Sequence, residues 1–327
     1  MKFCVIRLLC LNKAMDIKPG PQHKKDTNKP ILVAAFDVDN TLLPDGSGQP
    51  PSRAFTEAAV EAAQKGIAIS IVSARGVNKV LPTLIKPLLE AGVPPELIRW
   101  HGLANGAQIY DGVAHKIVQE HLIPINIAQQ LMSYLQARGI EHWVNDSDGL
   151  DCRDYFWAQD NTYATVRDQW AEPSADNSVD VPGYVPNKPL VLVANDVPAA
   201  DYQELLKMAE EFAPAQVVPL LYQDIERGGQ HFYKVFFLHA LANKGAAAAA
   251  LSTLYDAPLD QFLVMGDGTV DEPMLAVVAE AGGLAMAVAN AVPGTLAAAT
   301  HIAPAQVDDG AAVGLRYALQ NAQPEVA

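Results

Sequence analysis

The sequence predicts an α/β fold: a Rossmann-like parallel sheet interrupted by an inserted α+β domain. Three observations predict it. Apolar runs of strand length recur at 31–36, 66–72 and 261–265, each closing on a polar or glycine-rich turn. Between the first two lies a stretch with helical spacing, the connection that parallel strands need. From about residue 111 to 229 the character changes, with three of the four tryptophans (Trp143, Trp157, Trp170), polar turns and alternating stretches such as Glu141-His142-Trp143-Val144. The expected organisation is an N-terminal disordered arm over 1–29, a core built from 30–111 and 232–327, and an insertion over 112–231.

The first run, Ile31 to Phe36, has no polar interruption, as expected of a strand buried on both faces. It ends in Asp37-Val38-Asp39-Asn40-Thr41. Open α/β sheets bind their ligands at the carboxyl ends of strands, so Asp37 falls where chemistry is done. Side chains alternate along an extended chain, which puts Asp37 and Asp39 on one side. One carboxylate can attack phosphorus while the other handles a proton. The same pattern also suits a solvated turn in which Asp and Thr cap the next segment.

From Pro51 to Lys65 the residues Phe55, Ala58, Ala59 and Ala62 keep helical spacing, Ser52 can cap the start and Gly66 can close the end. The second run, from Gly66, ends in Ser73-Ala74-Arg75-Gly76, so Ser73 should emerge beside Asp37, where a hydroxyl can bond a phosphate oxygen or simply serve a turn. Lys244-Gly245 precedes an alanine-rich helix. A lysine at a helix start opposes the macrodipole, which points to a nearby anion, though an exposed lysine would look the same. The last run, from Gln261, breaks at Gly266-Asp267-Gly268 and leads into a helix carrying Asp271 in its first turn. Carboxylates at a strand end are hard oxygen ligands suited to magnesium. Asp267 is the candidate ligand, and Asp271 either orients it from behind or caps the helix.

An acid pair, a hydroxyl, a lysine and a further acid at successive strand ends resemble the four motifs of the haloacid dehalogenase-like (HAD) superfamily: Asp37-Val38-Asp39-Asn40-Thr41, Ser73, Lys244 and Gly266-Asp267 to Asp271. The Cof-type phosphatase branch is the more similar, with Asn105-Gly106-Ala107, a Lys-Gly third motif, Asn290-Ala291 and Asp309-Gly310. The resemblance covers roughly residues 30–111 and 232–322. It departs at Asn40, where the family commonly has Gly, and at Val270, where it usually has Asn.

The resemblance implies a Mg²⁺-dependent phosphoric monoester hydrolase with a cap domain that selects the substrate. Asp37 is then the nucleophile and forms an aspartyl-phosphate; Asp39 protonates the leaving alcohol and later deprotonates water. Ser73 and Lys244 bind the phosphate. Mg²⁺ is held by Asp37, Asp267 and the backbone carbonyl of Asp39, with Thr41 and Asp271 supporting the loops. Arg75 and Asn105 line the same edge and either touch the substrate or shape the pocket. The leading substrate class is a small phosphorylated metabolite, a sugar phosphate first. A phosphosugar mutase and a non-catalytic phosphate-ligand-binding protein are the alternatives.

Composition narrows the classes. A net charge of −14 argues against a nucleic-acid partner, whose phosphates need lysines and arginines in number. Cys4, Cys10 and Cys152 offer neither a disulfide framework nor a metal spacing, as expected of a cytoplasmic chain. The stretch Met1–Leu11 is apolar but interrupted by Arg7 and too short to span a membrane. In the insertion, Asn126–Arg138 and Asp201–Phe212 read as helices, Pro189–Ala194 as a strand and Asp168–Lys188 as a long loop. Gly228-Gly229-Gln230 matches the peptide-release tripeptide of translation factors, a role that an acidic chain with this framework argues against.

Overall fold

In the computed structural model the described residues are 17–23, 29–148, 150–158, 163–166, 178–212 and 217–321. Strand β1 (Lys18–Pro19) is followed by β2 (Val33–Phe36), all four of whose residues are buried. Helix α1 (Arg53–Gln64) leads to β3 (Ala68–Ile71), also wholly buried. The predicted cap of α1 forms: the Ser52 hydroxyl accepts the Phe55 N–H at 3.1 Å. Its apolar face, Phe55, Ala58, Ala59 and Ala62, lies on the sheet, with the Phe55 ring edge-on to Phe36 at 5.0 Å.

Strands β4 (Trp100–Leu103), β5 (Gln108–Asp111) and β6 (Lys116–Glu120) make a small sheet of their own in that order. Asp111 organises the turn after β5. It takes a fork of two bonds from Arg99, at 3.1 and 2.8 Å, while Oδ1 accepts the N–H groups of Val113 and Ala114.

Between β6 and residue 243 come α2 (Ile125–Ala137), β7 (His142–Asp148), β8 (Asp151–Trp157), β9 (Tyr163–Val166), β10 (Ser178–Asp180), β11 (Pro189–Pro198), α3 (Ala199–Glu211), β12 (Val217–Arg227) and β13 (Gln230–His239). The chain then returns through α4 (Lys244–Leu254), β14 (Phe262–Gly266), α5 (Glu272–Ala281), β15 (Leu284–Val288), α6 (Pro293–Ala298), β16 (His301–Ala303) and α7 (Gly310–Asn321).

The principal sheet has the order β1-β16-β15-β14-β2-β3 and is parallel except for β1. Strand β2 lies between β3 and β14, with the chain connecting it to each in opposite directions across the sheet. Such a switch point leaves a crevice outside the carboxyl ends of the central strands. Phe36 pairs with Met265, and the Asp37 N–H donates to the Met265 carbonyl at 2.9 Å, so Asp37 and Asp267 leave the sheet as neighbours.

The chain divides into two units, one of residues to Arg75, Lys79–Val118 and from Lys244 on, the other of Gly76–Asn78 and Gln119–Asn243. The second unit is built on an antiparallel sheet of order β10-β9-β8-β7-β11-β13-β12. Helices α2 and α3 supply Ile127, Leu131, Leu135 and Leu205 to its core, which meet Val144, Leu192, Val235 and Phe237 from the strands.

The structure departs from the sequence expectations in three places. The arm over 1–29 is in part a strand: Lys18 pairs with Ile302, and the Gly20 N–H donates to the Thr300 carbonyl at 2.7 Å. This covers the free edge of β16, whose backbone groups would otherwise stand unpaired. Residues 1–16 and 24–28, with Met1–Leu11, Cys4 and Cys10, lie outside the described residues. The boundaries also shift. Residues 112–118 stay with the first unit because β6 pairs in the small sheet, whereas 232–239 belong to the second because β13 pairs with β11 and β12. An apolar run such as Phe232–Leu238 reads alike in either sheet. The hairpin turn at Gly228-Gly229, with φ of 60° and 78°, decides its partner. That turn also accounts for the Gly-Gly-Gln tripeptide. Finally, the segment 168–188 includes strand β10, paired with β9, and its end is anchored by Tyr184 and the Asn187 N–H on Asp146 Oδ2, both at 2.9 Å. Residues 168–177, with Trp170, lie outside the described residues.

Among the described residues no helix is long and apolar enough to cross a membrane. Because Phe237 is fully buried in the core of the second unit, Phe237→Ala should cost about 3–5 kcal/mol in a denaturant titration. A loss below about 1 kcal/mol would place this side chain outside a packed core.

Candidate active site

The carboxyl ends of β2 and β14 bring three carboxylates together. Asp37, Asp267 and Asp271 each offer an oxygen within 4.8 Å of the others. The N-terminus of α4 supplies the countercharge: Lys244 Nζ donates to Asp37 Oδ1 and to Asp271 Oδ1, both at 2.5 Å. Lys244 is 1% exposed, so its position at the helix start, unfavourable to the macrodipole, is offset by two buried anions.

Asp271 does more than pair with lysine. Its Oδ2 accepts the N–H groups of Asp267 and Gly268, at 3.0 and 2.9 Å, and so shapes the turn that carries Asp267. The turn is tight. A Cβ at Gly266 would lie 2.5 Å from Asp271 Cβ, so only glycine fits there. With donors on both oxygens, Asp271 is the least available of the three as a metal ligand. Thr41, fully buried, donates to Asp267 Oδ1 at 3.1 Å and ties the β2 loop to the β14 loop.

Asn40 occupies the position where glycine is common in the family it resembles. Its φ is 55°, a left-handed conformation that Asn tolerates better than other side-chain-bearing residues. The exchange therefore keeps the backbone path.

Asp39 points into a second cluster. Arg75 grips it with a fork, Nε to Oδ2 at 3.0 Å and Nη2 to Oδ1 at 2.5 Å, and the Gly46 N–H donates to Oδ1 at 3.0 Å. Arg75 Nη1 donates to the Ser47 carbonyl at 2.8 Å. Ser73 is buried at the end of β3, where its hydroxyl accepts the Arg75 N–H at 3.1 Å and its carbonyl accepts the Asn105 N–H at 2.9 Å. Asn105 has a left-handed φ of 56°, and its buried Oδ1 has no hydrogen-bond partner.

Of the residues singled out in the sequence, Asp37, Thr41, Lys244, Asp267 and Asp271 form one connected cluster. Asp39, Ser73, Arg75 and Asn105 form a second beside it, joined through the two-residue step from Asp37 to Asp39. Sequence reasoning left open whether Arg75 touches substrate or shapes the pocket; in the structure it holds Asp39. It missed Gly46 and Ser47, whose contributions are backbone atoms and leave no mark in side-chain chemistry. It also missed the tether by which Asn290 Nδ2 donates to the Asn40 carbonyl at 2.9 Å.

The electrostatics follow from burial. Asp37 has a proton affinity well above the ordinary carboxylate range, because burial and the charge of Asp271 outweigh the help of Lys244. Asp267 is pushed up to about 6 by burial and by Asp271, against the hydrogen bond from Thr41. Lys244 is raised as well: burial pulls it down, but Asp271 and Asp37 more than offset that. Three carboxylates thus share one ammonium. The remaining negative charge and the hard oxygen donors of Asp37 and Asp267 fit a divalent cation.

Residues 34–315 match the sequence profile of the haloacid dehalogenase-like hydrolases. The chain belongs to this family. No curated protein matches it in sequence. Solved structures that share the fold include a phosphatase of the haloalkanoate (HAD) enzyme superfamily from Bacteroides thetaiotaomicron, 16% identical, covering 90% of this chain and 97% of that one with a TM-score of 0.61. A HAD subclass IIB sugar phosphatase is 14% identical over 87% of this chain and 98% of its own, with a TM-score of 0.62. A haloacid dehalogenase-like hydrolase from B. subtilis is 18% identical, over 88% and 99%, with a TM-score of 0.62. The family's fold, a Rossmann-like core with an inserted α+β cap, is the one the sequence predicted, and a subclass IIB member is among the neighbours.

Two predictions follow from this geometry. Folding raises the Asp267 carboxyl from its ordinary 3.8 to about 6, so the stability it contributes is fully present below about pH 3.8 and lost as pH rises through about 6. In chelator, the thermal stability of the wild type relative to Asp267→Asn should therefore fall between about pH 4 and 6 and level off above. A pH-independent difference would mean that the carboxyl is not desolvated. Gly266→Ala should lose both Asp271 contacts to the turn and show a lowered melting temperature; an unchanged melting curve would refute the close approach.

Proposed function

We propose that this family member is a divalent-cation-dependent phosphatase of a small phosphorylated metabolite, acting through an aspartyl-phosphate. The observation that carries the reading is Lys244, buried and shared between Asp37 and Asp271, beside Asp267. A buried ammonium aimed at a carboxylate on a strand end is a phosphate-binding arrangement waiting for its anion.

Asp37 is the nucleophile, set by its strand end and by Lys244 to face the phosphorus. Asp39 lies two residues further on, held by Arg75, and exchanges the proton with the leaving group. Lys244 stabilises negative charge on the transferring phosphoryl oxygens, and the Ser73 hydroxyl, which accepts from the Arg75 N–H, keeps its own proton free to donate to one of them. Asp37 and Asp267, with the Asp39 carbonyl, would hold Mg²⁺, which when bound neutralises phosphate charge so that an anionic carboxylate can approach. Thr41 and Asp271 keep Asp267 in place. Asn105, with its unpartnered buried oxygen, is suited to accept a hydrogen bond from a substrate hydroxyl.

A sugar phosphate is the leading substrate class. A subclass IIB sugar phosphatase shares the fold, and the second unit carries aromatic side chains beside polar ones, with Trp143 stacked on Phe156 at 5.8 Å and Lys234 5.2 Å above Trp143. Such surfaces suit hydroxylated rings.

Phosphate release from a panel of phosphorylated metabolites tests the reading. Asp37→Asn should abolish turnover with the fold intact, since an amide cannot attack phosphorus, and Asp39→Asn should slow it by about 10²-fold or more. Full activity in Asp37→Asn would refute the nucleophile. Activity should vanish in EDTA and return with Mg²⁺, while Ca²⁺, with looser coordination, should support little. Undiminished hydrolysis in excess chelator would remove the cation from the mechanism.

A further inference from the structure

The two oxygens of Asp39 are held unequally. Oδ1 accepts from both Arg75 Nη2 and the Gly46 N–H, whereas Oδ2 accepts from Arg75 Nε. The guanidinium is spread over two structures at once: its third nitrogen, Nη1, donates to the carbonyl of Ser47. The Arg75 side chain is 3% exposed. All three of its nitrogens therefore donate to acceptors of this chain, which is a poor state from which to seize a phosphate and a good one for fixing a neighbour. A planar fork restricts rotation of the carboxylate it grips, which a single point charge does not. Stability gives little reason for the arrangement, since buried ion pairs roughly break even against apolar replacements.

We infer that Arg75 is a positioning residue: it anchors Asp39 through Oδ1, together with Gly46, and presents Oδ2 as the oxygen that exchanges a proton with the leaving group. The inference rests on the proposed role of Asp39 and assigns the working atom. As the bond from Asp37 to phosphorus forms and the ester P–O bond breaks, the electron pair of the broken bond stays on the leaving oxygen, which takes the proton from Asp39 Oδ2. In the second half a water oxygen attacks phosphorus, its proton passes to the same Oδ2, and the Asp37 carboxylate is released. Freeing Oδ2 for this costs one hydrogen bond, from Nε. Freeing Oδ1 would cost two and release the loop at Gly46 as well.

Leaving groups separate this role from a general structural one. An alkyl phosphate expels an alkoxide and needs the proton, whereas p-nitrophenyl phosphate expels a stable phenolate and does not. Arg75→Lys keeps the charge and loses the fork. It should lower the rate of aspartyl-phosphate formation from a primary alkyl phosphate by about 10²-fold with KM unchanged, and leave the burst rate of p-nitrophenolate release from p-nitrophenyl phosphate, which reports the same first step, within about threefold. In an Asp39→Ala background the same change should cause no further loss on the alkyl ester. Arg75→Gln, which keeps amide donors without charge, replaces the lysine variant if that one does not fold, and should show the same split between esters. Equal losses on both esters, a raised KM with the first-step rate unchanged, or an additive loss in the Asp39→Ala background would each overturn the inference while leaving the phosphatase reading standing. A wild-type protein inert toward both esters would overturn that reading and this inference with it.

Discussion

The buried ammonium of Lys244 sits 2.5 Å from carboxylates that arrive on two different loops, Asp37 after β2 and Asp271 at the start of α5, and the arrangement of the site depends on it. Without that charge, three carboxylates would crowd the carboxyl ends of adjacent parallel strands with nothing to offset their repulsion. Removing one partner of a buried pair typically costs about 3–5 kcal/mol, because the other charge is left unsolvated. The chain still undercompensates: Asp37 and Asp267 remain reluctant to ionise. A site that is short of positive charge is also one that gains from binding a cation.

From this pair the loops follow in order. Asp271 uses its second oxygen to hold the backbone of Asp267 and Gly268, and the Thr41 hydroxyl reaches across to Asp267, so each loop braces the other. The departures from the family pattern leave these contacts in place. Asn40 adopts the left-handed backbone that glycine would give. Val270 precedes Asp271, whose N–H still closes the turn on the Gly268 carbonyl at 2.9 Å.

The second unit obeys a different rule. Its sheet is antiparallel, and its strands alternate: Val235 and Phe237 enter the helix-packed core, while Lys234 and Phe236 belong to the other face with Trp143 and Tyr222. Alternation of this kind lets one strand serve stability and carry chemically varied side chains at the same time.

The sequence by itself determined the strand ends. Buried parallel strands must be continuous apolar runs, and the polar residues that interrupt them fall at the same sheet edge, so Asp37, Ser73 and Asp267 were legible, as was the Ser52 cap of α1. The lysine was legible through its conflict with the helix dipole. Only the tertiary structure decided which partners these groups take. Nothing local tells Arg75 to grip Asp39 from 36 residues away, since that depends on how two strand-end loops meet. The contributions of Gly46 and Ser47 are backbone groups, common to every residue and so invisible in a side-chain pattern. The sequence reading placed Phe232–Leu238 with the core, and the structure corrects it for a similar reason: hydrophobicity records that a strand is buried, and its partner is set by the turn and the register that bring two distant segments together.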